Sequence, residues 1–145
     1  NESGRVTISP SPDGRIISKA TGTAEAKHYW MMSTIKSGSK SRRRFRLKAG
    51  GSTTTLVASS GNLTENQWFH GAAVYDGATM KLYLDGVLVG TRSKTGSIAA
   101  GGTVPVWIGG NPTDPSVRPW QGAIDDVRIY DRALSAAEVA ALAGG

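Results

Sequence analysis

The stretch WFHGAAVYDGATMKLYLDGVLVG, residues 68–90, holds two Asp-Gly pairs, Asp76-Gly77 and Asp85-Gly86, set between short apolar runs. Asp and Gly tolerate the left-handed backbone of tight turns, so each pair between alternating apolar residues marks a hairpin. Two turns join three strands, and the spacing predicts them over residues 68–75, 80–84 and 87–91 as an antiparallel meander. In the middle strand Met80, Leu82 and Leu84 share one face while Lys81 and Tyr83 share the other. That is the alternation of a sheet with one buried side.

The same pattern runs outward in both directions. Strands are predicted over 15–19, 29–35, 42–48 and 54–58 upstream, and over 104–109 and 123–130 downstream. Turn residues such as Ser37-Gly38, Gly50-Gly51, Gly101-Gly102 and Asn111-Pro112 punctuate them. Eight or nine short strands in a chain of 145 residues with 19 Gly imply an all-β fold, a two-sheet antiparallel sandwich of jelly-roll type. Only residues 135–143 read as helix: Ser135 stands as N-cap, Glu138 three residues on completes a capping box, and Leu134, Val139 and Leu142 supply the apolar stripe. The expected organisation is an N-terminal extension or remnant strand over 1–14, then one domain over 15–143.

Composition removes several function classes. There is no Cys, hence no disulfide and no thiolate metal site. No apolar run reaches the roughly 18 residues of a membrane span. A net charge of +6 permits nucleic-acid binding, but no recognition motif accompanies it.

The strings W-F-H-G-A-A-V-Y-D-G-A-T-M-K-L-Y-L-D-G-V-L-V-G, V-W-I-G-G-N-P and W-Q-G-A-I-D-D-V-R-I-Y-D-R-A-L-S-A-A-E-V, in that order, resemble the laminin G-like jelly-roll family of the concanavalin A-like lectin and glucanase superfamily. The upstream R-I-I-S-K and R-F-R-L-K match more loosely. The resemblance implies two curved sheets in one module of a larger extracellular or cell-surface protein. It also implies more chain before the counterpart of R-I-I-S-K than the fourteen residues that precede Arg15. The expectation is therefore an open sheet edge, which a strand from another protein chain would complete. The resemblance further implies a structural calcium ion held with the help of Asp125 and backbone carbonyls. Against that stands a plainer role, in which Asp125 or Asp126 pairs with Arg128 or Arg132 or caps a turn.

Catalysis is not expected. A retaining glycosidase needs an acid and a nucleophile about 5 Å apart. No Glu-x-Asp pattern falls on any predicted strand, and Asp125 and Asp126, as neighbours, would point to opposite faces. His70 reads as a packed sheet residue, and His28 is isolated.

Two features point to ligand binding. Seven of the 17 basic residues lie between Lys36 and Lys48, a stretch with no acidic residue. On a strand, Arg42, Arg44 and Arg46 would share one face, about 7 Å apart, with Phe45 and Leu47 buried on the other. Such a stripe of guanidinium forks suits the carboxylates or sulfates of an extended anionic polysaccharide; the alternative is a solvated strand whose charges guard an edge. The second feature is aromatic. Trp107 takes the opposite parity to Val106 and Ile108 and is expected on the outer face of its sheet, where a flat indole stacks on sugar rings. Trp120, Tyr83 and Trp30 would extend that platform, while Trp68 reads as a core anchor. The sequence thus leads to a non-catalytic carbohydrate-binding module, with a structural or adhesive protein-protein domain as the alternative.

Overall fold

The computed structural model describes the backbone of residues 5–7 and all of residues 13–144. The expected boundary at residue 14 falls beside a stretch, 1–4 and 8–12, that lies outside the described residues.

Both Asp-Gly pairs turn the chain as their chemistry requires. Asp85 and Gly86 have φ of 50° and 81°, two consecutive left-handed residues joining β7 (Thr79–Leu84) to β8 (Val87–Ser93). Asp76 instead closes its turn with its carboxylate, which accepts the Ala78 and Thr79 N–H groups at 2.9 and 2.8 Å, and β6 (Trp68–Tyr75) leads into it. Upstream lie β1 (Arg5–Thr7), β2 (Arg15–Ala20), β3 (His28–Ser37), β4 (Lys40–Ala49) and β5 (Ser52–Val57); downstream are β9 (Val106–Ile108) and α1 (Ala136–Gly144). The described strands form two antiparallel sheets, of order β1-β6-β7-β8 and β5-β4-β3-β2-β9. This is the two-sheet jelly-roll sandwich with one C-terminal helix.

The alternation decides what goes between the sheets. Phe45, Leu47 and Leu56 from the five-stranded sheet meet Met80, Leu82 and Val89 from the other. A smaller cluster, Ile16 with Phe69, closes one end, and Trp120 and Ile124 pack on it. The outer face of the four-stranded sheet is covered by α1, whose Val139 is fully buried against Val74 and Tyr83. The capping box is closed in both directions: Glu138 N–H donates to Ser135 Oγ at 3.2 Å, and Ser135 N–H donates to Glu138 Oε2 at 2.8 Å.

Three expectations are corrected. Residues 123–130 form no strand: Asp126 adopts φ 52°, which breaks the extended run, and the Asp125 carboxylate accepts the Asp126 N–H at 2.8 Å. Val106 and Ile108 are 43% and 59% exposed rather than buried, because β9 is a three-residue edge strand that contributes to no apolar cluster. Trp68, expected in the core, opens β6 with 46% of its surface exposed.

Candidate functional site

Strand pairing fixes which side chains share the outer face of the five-stranded sheet. Arg15, Ser33 and Arg44 are in register across three strands, as are Trp107, Ser18, Met31, Arg46 and Thr55 across five. Polar side chains on this face are too numerous to be left unpaired under the loops that cover them, and they bond to one another.

Asn111, buried in the loop after β9, is one hub. Its Oδ1 accepts from Arg15 Nε at 3.3 Å and Ser18 Oγ at 3.2 Å, and His28 Nε2 lies 3.1 Å away. Its amide donates to the carbonyls of Gly22 and Pro112, which pins the loop to the sheet. Asp13 is the second hub: its carboxylate pairs with Arg15 and Arg44, and with the half-exposed Arg118 at 3.4 Å. From His28 the chain of contacts continues through Arg46, which donates to Thr55 Oγ1 at 3.1 Å, and Thr55 in turn donates to Glu25.

The electrostatics follow from burial. His28 is held neutral, its pKa lowered to about 4 first by burial and then by the Arg15 charge. Burial lowers Arg15 to about 10 in spite of Asp13, a value that leaves it charged at neutral pH.

The expected site residues separate accordingly. Arg44 does not project: it is 4% exposed, bonded to Asp13 and to Ser33 Oγ, because the loops over this face close on it. Arg46 is half-buried and engaged with Thr55 and His28, whereas Arg42 is half-buried beside Ile35. The arginines form a structural layer rather than an open stripe, and the exposed cations of this strand pair are Lys36 and Lys40 at its turn. Trp107 stands on the outer face next to Ser18, half-buried, with its ring 3.5 Å from where a Gly110 side chain would begin. The other aromatics do not join it. Trp30 faces inward with Leu47, Trp120 packs on the Ile16 and Phe69 cluster, and Tyr83 is 4% exposed under α1.

The Asn111 and Asp13 hubs were not legible in the sequence, since nothing local to either residue marks them. Asn111-Pro112 read only as a turn. Asp125 is exposed, its carboxylate is taken up by the next backbone N–H, and Asp126 pairs with Arg128 at 3.6 Å. No group of three His, Asp or Glu side chains that could hold a metal exists among the described residues. Nor does any described strand carry an Asp or Glu, and no described helix is long and apolar enough to cross a membrane.

Two stacked antiparallel sheets with a helix on one outer face define a lectin-type jelly roll. The match of residues 5–140 to a laminin G-like family model shows that the chain belongs to the concanavalin A-like lectin/glucanases superfamily. Among solved structures, a native heptameric SAP-like pentraxin from Limulus polyphemus superposes with a TM-score of 0.71 at 21% identity, covering 97% of this chain and 67% of the pentraxin. A protein from Bacteroides ovatus assigned as carbohydrate-binding superposes with a TM-score of 0.67 at 16% identity; 94% of this chain is covered, and the chain spans 38% of that protein. Likeness at these identities speaks for the fold alone. No curated protein sequence matches the chain.

Proposed function

We propose that this domain is a non-catalytic carbohydrate-binding module of an extracellular or surface-attached protein, and that the sugar docks on the outer face of the five-stranded sheet beside Trp107. The observation that carries this reading is the half-buried Trp107 indole, on the same face as a layer of side chains already locked by hydrogen bonds. An indole offers a flat apolar surface for the C–H face of a pyranose. The fold of the Bacteroides ovatus protein is in keeping with such a role. The absence of acidic residues from the described strands favours binding over hydrolysis, which needs two carboxylates across the scissile bond.

An anionic polysaccharide is the preferred ligand class, because the net charge is +6 and Lys36, Lys40 and Arg118 are exposed on the strand turn and loop of this sheet. A glycan array at about 0.05 and 0.5 M salt tests both parts. Trp107→Ala is expected to weaken binding about tenfold, the size of one stacking contact. Binding to acidic glycans should fall with salt. Flat arrays, or binding that Trp107→Ala leaves unchanged, would defeat the assignment.

A second reading is favoured by the β9 edge, where Val106 and Ile108 are exposed on the last strand of its sheet. There the module would take a strand from a protein partner or another copy. It requires a concentration-dependent oligomer, or a captured peptide, that Ile108→Lys abolishes while arrays stay flat.

A further inference from the structure

The inner face of β4 carries a residue that the outer site does not use. Arg43 is in register with Thr34 and shares its side of the strand with Phe45 and Leu47, so its guanidinium lies between the two sheets, 1% exposed. It sits over the Phe69 ring at 5.4 Å and fills the space where Gly71 has no side chain; a Cβ there would stand 2.0 Å from Nη1. Its Nε and Nη1 have no hydrogen-bond partner, and no described carboxylate forms an ion pair with it. Burial lowers its pKa to about 10, so it remains charged at neutral pH. A buried cation with two idle donors is costly, and because neither atom has accessible surface, a ligand meets them through a shift of the Arg43 side chain toward the cavity it lines.

The space beside it is large. A cavity of about 500 Å³ runs between β6, the inner face of β3 and β4, and residues 124–134. Ile17, Trp30, Phe45, Leu47 and Ile124 line it along with Arg43, and its rim carries the exposed side chains of Val127, Ile129 and Tyr130. That volume is in the range of small-molecule pockets, roughly 300–1,000 Å³, and the inner wall is mostly apolar, as theirs are. The charged side chains of Asp76, Asp125, Asp126, Arg128, Asp131 and Arg132 line it as well, so among its cations Arg43 is the one set against the inner apolar wall.

We propose that this inter-sheet cavity binds a linear aliphatic monocarboxylate, its chain along the apolar wall and its carboxylate accepting from Arg43. A guanidinium fork matches a carboxylate in charge and geometry, whereas a neutral headgroup would leave the cation unpaired. The site lies on the opposite side of the five-stranded sheet from Trp107, so it stands or falls independently of glycan binding.

Titration calorimetry with octanoate, hexanoate and 1-octanol provides the test. One octanoate should bind per chain, at least tenfold tighter than 1-octanol, and hexanoate should bind roughly tenfold more weakly than octanoate, about three- to fourfold per methylene lost. Arg43→Met should remove the preference for the acid over the alcohol, and Trp107→Ala should leave octanoate binding unchanged. No octanoate binding at millimolar concentration, equal affinity for acid and alcohol in the unsubstituted protein, or an acid preference retained by a folded Arg43→Met variant would each overturn the proposal.

Discussion

Asp13 shows how much of this fold rests on single polar side chains. One carboxylate is shared by Arg15 and Arg44, which are 1% and 4% exposed, and a third arginine, Arg118, is half-exposed and adds little. Asp13→Asn keeps the shape but removes the charge, stranding two buried cations. We expect a loss of about 2–3 kcal/mol in urea unfolding, below the usual range for breaking a fully buried pair because Asp13 is itself partly solvated. Arg44→Ala leaves Asp13 paired with Arg15 and should destabilise instead through lost packing and the lost bond to Ser33 Oγ, rather than act as a selective lesion in ligand binding. His28 gives the fold a pH dependence whose sign is fixed by its environment. Its folded pKa is about 4 against 6.5 for the free ring, so between those values the unfolded chain binds a proton that the folded one does not. Stability should therefore fall as pH drops through 6.5 and level off near 4, by about 3 kcal/mol in total. His28→Gln should flatten that part of the profile in chemical unfolding from pH 7 to 4. Glu138, drawn down to about 2 chiefly by Arg132, loses its contribution in a lower window, as pH falls from 4.5 to 2.

At the scale of elements, the strands and the helix cap were legible because their signals are local. Period-two alternation placed β6 residue for residue, and Ser135 with Glu138 announced the start of α1 from four letters of sequence. What α1 does was not legible. Tyr83, read as an outward-facing aromatic, does face away from Leu82, but α1 lies over it, and no pattern within β7 records that a helix some fifty residues later returns to that face. Residues 123–130 failed for the converse reason: their alternation is good, yet one left-handed residue, Asp126, is enough to stop a strand. The helix can be tested as a lid. Ser135→Ala removes the cap and should cost about 1 kcal/mol. Val139→Ala empties a fully buried site over Val74 and Tyr83 and should cost about 2 kcal/mol. Thermal melts followed by Tyr fluorescence should show both losses; an unchanged midpoint for Val139→Ala would mean that the helix is not seated on the sheet in solution.

The whole molecule sets two demands against each other. Its sheets close over one well-packed apolar cluster, yet beside that cluster they leave a cavity of about 500 Å³ and a cation with unpaired donors. Sequence alternation placed Arg43 on the inward side of β4 together with Phe45 and Leu47, but could not show that Gly71 on the opposite sheet makes room for its guanidinium, because that match is between residues far apart in the chain. The same is true of the Asn111 and Asp13 hubs, which gather partners from several strands. Among the described residues, the Phe69 ring and the more distant Asp85 charge are what offset the burial of Arg43. An apolar side chain of similar length keeps the packing and sheds the desolvation cost, so Arg43→Met should raise the unfolding free energy of the ligand-free protein by roughly 1–3 kcal/mol, a rise of several degrees in Tm. Stability given up at one buried position is the signature of a site kept for binding, and it is measurable without knowing the ligand. A melt in which Arg43→Met unfolds at the same temperature as the unsubstituted protein, or below it, would show that Arg43 is held by the fold itself.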